Sequence, residues 1–84
     1  MDWEEFNKEH FLRMTEEEKR ENSRGILIFN NGKKLEVVVE PDTGDIMMEE
    51  EIVGRLSPDE KYDYFVGGKV EVEDAFVLVH PDCL

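Results

Sequence analysis

The stretch Gly25-Ile26-Leu27-Ile28-Phe29-Asn30-Asn31-Gly32-Lys33-Lys34-Leu35-Glu36-Val37-Val38-Val39-Glu40 decides the fold. Residues 25–30 form a run of β-branched and aromatic side chains, the composition of a strand. Asn31-Gly32 is the strongest short hairpin signal, because a type I′ turn needs positive φ at both central positions. On the return strand, residues 33–40, Leu35, Val37 and Val39 share one face. Glu36, Val38 and Glu40 take the other, which is therefore partly polar. An antiparallel sheet with one face on a core begins here. Pro41-Asp42-Thr43-Gly44 supplies the next turn.

Upstream of this hairpin the period changes to that of a helix. Trp3, Phe6, His10, Phe11 and Met14 recur at spacings of three and four, which predicts one apolar stripe facing the core. Asp2 suits the N-cap, with Glu4 and Glu5 at the positive end of the helix dipole. Thr15-Glu16-Glu17-Glu18 is a capping box that restarts a short, almost wholly charged helix reaching residue 21. Residues 22–25 end it.

Downstream the pattern is less regular. Residues 45–56 admit two readings. As a strand they show no clean face; as a helix Met48, Ile52 and Leu56 stack four apart. The preceding turn favours a strand over 45–50 followed by irregular chain. Ser57-Pro58-Asp59-Glu60 predicts a helix start of about one turn. Residues 62–66 and 69–73 then read as strands flanking a Gly67-Gly68 hairpin. Residues 75–80 form the last strand, continuous with the one before through a bend or bulge at Asp74 and stopped by Pro81. The expected fold class is α+β, with an N-terminal helix or helices packed on an antiparallel β-sheet of four to five strands. One small acidic domain would span 1–84, with 1–22 helical and 25–80 forming the sheet.

Charge narrows the functional classes. The chain holds 22 acidic and 10 basic residues, a formal net charge of -12 and a pI near 4.4. That balance disfavours direct binding to nucleic acid or to anionic membrane. No apolar run approaches 18 residues, and the acidic N-terminus lacks the apolar region of a secretory signal. The single cysteine, Cys83, forms no internal disulfide, which fits a cytoplasmic location.

Motifs for catalysis are missing. His80-Pro81-Asp82-Cys83 is half of a metal site without a second half, and His10 reads as a core-edge residue. Asp42-Thr43-Gly44-Asp45 lacks the spaced acids of a calcium loop. A Cys83–His80 nucleophile pair would need a third orienting group and a pocket. The expectation is therefore a protein with no enzymatic activity, no cofactor and no metal.

The acid is unevenly spread. Residues 23–44 are neutral, with three acids and three bases, whereas residues 45–63 hold seven acids against two bases. Solubility asks for a net charge of roughly 2–8 in a small domain, so the excess, which costs stability through self-repulsion, invites a functional explanation. Glu71 and Glu73, like Glu49 and Glu51, would stand about 6.7 Å apart on one strand face and present rows of fixed negative charge. In size and charge the chain resembles the small acidic DNA-mimic inhibitors, many of them phage-encoded agents of host takeover. The resemblance implies a protein that occupies a basic, nucleic-acid-binding surface of a partner and inhibits it. Candidate contacts are Glu49, Glu50, Glu51, Asp59, Glu60, Asp63, Glu71, Glu73 and Asp74. Met47, Met48, Tyr62 and Tyr64 read singly as core, and alternatively as anchors beside that acid. The alternative function is a regulator or adaptor docking through an apolar patch or sheet edge, its charge serving solubility. A third is a homodimer joined by edge strands or by the N-terminal helix.

Overall fold

The computed structural model describes residues 2–80. Two helices open the chain: α1, Trp3–Arg13, and α2, Glu16–Ser23. Asp2 caps α1 by accepting from the Glu4 amide at 3.1 Å. The Thr15/Glu18 capping box is complete in both directions and starts α2. Four strands follow as a meander: β1, Arg24–Phe29; β2, Lys34–Val39; β3, Asp45–Met48; and β4, Glu51–Arg55. Helix α3, Pro58–Phe65, leads to β5, Val70–Val72, and β6, Ala75–Val79. All six strands pair antiparallel in the order β4-β3-β2-β1-β6-β5.

The α+β class matches the expectation; the strand count is six. Residues 51–55, expected to be irregular, form a strand that pairs with β3 through a bulge after Ile46. Residues 62–66 are not a strand. The Ser57/Glu60 capping box, with Pro58 in the first turn, drives α3 through two turns to Phe65. Gly67-Gly68 consequently leaves a helix end rather than closing a hairpin. Glu73-Asp74 reverses the chain between β5 and β6, so the expected continuous strand is a hairpin. In this hairpin Val70, Ala75, Val77 and Val79 are buried, whereas Phe76 and Leu78 are half-buried. The first hairpin forms with a longer loop than a type I′ turn. Gly32 alone has positive φ, 90°, and its amide donates to the Phe29 carbonyl at 2.9 Å. Pro81, Asp82 and Cys83 lie outside the described residues, so of the half-site His80 alone is described.

The register separates two faces. Gly25, Leu27 and Phe29 of β1 align with Val37 and Leu35 of β2 and with Val79, Val77 and Ala75 of β6. This face carries the core, closed by Phe11, Met14, Leu56, Tyr64 and Phe65. Burying each such side chain contributes about 1.5–3 kcal/mol. Phe11 stands 5.5 Å from Phe65 and 5.2 Å from Tyr62, ring centre to ring centre, which fixes α1 on α3. Tyr64, wholly buried, donates its hydroxyl to the Asn22 carbonyl at 2.7 Å, and Asn22 donates to the Phe65 carbonyl at 2.8 Å. The two bonds tie α2 to α3. Gly25 leaves room for the Tyr64 hydroxyl, which a Cβ at that position would meet. The opposite face bears Ile26, Ile28, Val38 and Met47 by the same register. No helix among the described residues is long and apolar enough to cross a membrane.

Candidate functional site

Antiparallel pairing sends three turns to one end of the sheet. These are the loop 30–33, the Glu49-Glu50 turn and the Glu73-Asp74 turn. The Asn30 amide donates to the Asp74 carbonyl at 3.1 Å and joins two of them. Glu49 and Glu50, at φ 50° and 73°, occupy both central positions of a two-residue turn, and Glu73 has φ 52°. Left-handed backbone costs a residue with a side chain about 1–2 kcal/mol. Acids thus stand at three positions where Asn or Gly would sit more easily.

The sheet curls so that its edges approach. Gly54 of β4 lies against Val72 of β5; a Cβ there would stand 3.8 Å from Val72 Cγ1. The curl encloses a groove of about 460 Å³ with an apolar floor that includes Leu27, Phe29, Ile46 and Val72. Glu60, Glu71, Glu73 and Asp74 border it. Among the described residues that line it Arg55 is the one cation, and it donates to Asp45 Oδ1 at 2.5 Å. The Arg55 guanidinium holds the Asp45 carboxyl below the usual carboxylate range.

A second groove, of about 840 Å³, runs between α1 and α3. Trp3, Phe6 and His10 line it from α1, opposite Asp59, Glu60 and Asp63 of α3, with Glu4 beside them. Glu60 borders both grooves. Of the nine expected contacts, six (Asp59, Glu60, Asp63, Glu71, Glu73 and Asp74) therefore border two grooves that share Glu60. Glu49, Glu50 and Glu51 do not line either groove. They sit at the tip of the β3–β4 hairpin, at the same end of the sheet as Glu73. Neither predicted carboxylate pair spans a strand face: Glu49 belongs to a turn while Glu51 opens β4, and Glu71 lies on β5 while Glu73 turns the chain.

Several cations are engaged elsewhere. The Lys19 and Lys61 ammonium groups stand 4.6 and 5.1 Å from the centre of the Phe11 ring, and Lys69 stands 4.5 Å from that of Phe76. Arg24 donates to Glu36 Oε1 at 3.3 Å, and His80 Nε2 lies 3.2 Å from the same oxygen. Lys33 and Lys34 stand at that end, on the loop and strand between the acidic tips.

Trp3 and Phe6 correct the sequence expectation. Their spacing predicts a place in the core stripe, yet they are 77% and 46% exposed, and His10 is exposed as well. Phe11 and Met14 alone of that stripe are buried. Tyr64 and Tyr62 belong to the core and its margin rather than to an acidic sheet face. Among the described residues no group of three or more His, Cys, Asp or Glu side chains is placed to hold a metal ion. Comparison with protein-family models, with curated proteins and with solved structures finds no match to this chain.

Proposed function

We propose that this chain is a non-enzymatic acidic binding protein that occupies a basic, nucleic-acid-binding surface of a partner and inhibits it. The observation that carries the reading is the placement of the acid. Carboxylates from α3 and from the β5–β6 hairpin border two grooves that share Glu60, and Arg55 is paired with Asp45, which supports reading them together. A basic surface that docks there exchanges its phosphate counter-charges for carboxylates, and the field speeds encounter. Double-stranded DNA and this protein would then compete for one site.

The test is retention of DNA-binding proteins, first isolated on a DNA column, by the immobilised chain. Release by moderate salt and by added duplex DNA is expected. Retention that salt leaves unchanged, or a ternary complex with DNA, overturns the reading. Val38 and Ile52, 46% and 58% exposed, favour a second reading, an adaptor docking through these exposed apolar side chains of the sheet. Charge reversal at Asp59, Glu60 and Asp63 separates the two, since the adaptor would keep its partner.

A further inference from the structure

We propose that the groove between α1 and α3 receives an arginine side chain from a basic segment of the partner protein, an inference that rests on the acidic-binder reading above. Trp3 and Phe6 are three apart on α1 and share its exposed face. Their rings meet edge to face at 5.8 Å, an arrangement that holds the indole in place while leaving it 77% exposed to solvent. Across the groove, Asp59 and Asp63 are four apart on α3 and Glu60 lies between them. Glu4 adds a carboxylate from the aromatic side. Among the described residues, no lysine or arginine lines this groove.

Aromatic faces opposite carboxylates are the chemistry that recognises a cation. A guanidinium fits better than an ammonium, because it is planar and weakly hydrated. It stacks on a ring while its edge donates two parallel bonds to a carboxylate. Asp63 is prepared for that role. Asn7 Nδ2 donates to its Oδ1 at 3.5 Å, and its carboxylate packs so closely on Gly68 that a Cβ there would collide with it. A carboxylate held from two sides loses little freedom on binding. Glu60 also borders the groove that carries the acids of the β5–β6 hairpin, so a segment with further basic residues finds counter-charges beyond the first groove. That extension favours a protein segment over a small polyamine.

Trp3 is the sole tryptophan, so its emission reports the groove directly. The full chain is titrated with a capped hexapeptide alternating Arg and Gly, with its Lys counterpart, and with spermidine. We expect a saturable change in Trp3 emission with the arginine peptide, bound about fivefold tighter than either competitor. Asp59→Asn with Asp63→Asn should weaken it about tenfold, and Phe6→Ala about fivefold. Glu49→Gln with Glu50→Gln, at the far hairpin tip, should change it less than twofold. Far-UV circular dichroism and urea midpoints establish that each variant is folded. Equal binding of the peptides, tighter spermidine binding, or equal losses from groove and tip variants overturns the arginine site. Salt-labile, DNA-competed retention of partners by Phe6→Ala at full strength would also overturn it, while leaving the broader function standing. Arginine-peptide binding without any DNA-competed partner would sink the broader function alone.

Discussion

Asp45 shows how one residue's chemistry sets both structure and pH response. It opens β3, where the residue is 8% exposed, and its carboxylate meets the Arg55 guanidinium across the β3–β4 ladder. A buried carboxylate without a partner is costly, so the pair is better judged by what its loss leaves behind than by its own attraction. The Asp45 carboxyl is depressed below its ordinary value, first by the Arg55 hydrogen bond. A depressed carboxyl stabilises the fold fully above its unfolded-state pKa, near 3.9, and loses that contribution as pH falls through the lower folded value. Asp45→Asn should therefore unfold at lower urea than the parent at pH 7, and the gap should narrow at pH 3. A gap that is constant with pH would mean that the ion pair contributes nothing. At this scale the sequence is an uneven guide. The N-cap residues Asp2, Thr15 and Ser57 were legible, because a cap is satisfied within three residues of itself. The exposure of Trp3 was not, because periodicity marks an apolar stripe without saying how far a neighbouring element extends to cover it.

Among the elements, the β3–β4 hairpin carries a visible strain. Its turn residues are both glutamates in the left-handed region, a conformation that Asn-Gly adopts more readily. Glu49→Asn with Glu50→Gly should stabilise the chain by about 1–2 kcal/mol, read as a raised urea midpoint at unchanged slope. No gain would show that the ladder tolerates these glutamates without strain. The same turn explains why the second half of the sheet was hard to read. The β1–β2 hairpin announces itself through Asn31-Gly32, and residues 41–44 through Pro41 and Gly44. Glu49-Glu50 reverses the chain without any turn residue, and the lone Asp of Glu73-Asp74 suits a bend as well as a turn, so the sequence predicts irregular chain after residue 50 and one bent strand over 69–80. Residues 62–66 failed for another reason. Tyr62, Tyr64 and Phe65 have strand propensity, but the capping box at Ser57 and the burial of Tyr64 and Phe65 against α1 and the sheet make helix the better use of them.

At the scale of the molecule, the net charge and the curl of the sheet act together. The excess of acid was legible from composition, but the meeting of two acid-bordered grooves at Glu60 was not. It depends on the approach of β4 to β5, which does not follow from local spacing. Gathered carboxylates repel in the folded state more than in the expanded chain, so the fold carries a penalty that mobile ions relieve. Sodium chloride raised from 0.02 to 0.5 M should therefore increase Tm by several degrees, since about 1 kcal/mol corresponds to 4–8 °C in a domain of this size. The same salt should weaken retention of a basic partner, so stability and binding move in opposite directions. A variant with Asp59, Glu60 and Asp63 changed to their amides should respond less to salt in Tm, because part of the gathered charge is gone. Thermal scans of both proteins across the salt series decide the point. Equal responses would mean that the penalty is spread over all the acids, and the two grooves would then have no electrostatic identity of their own.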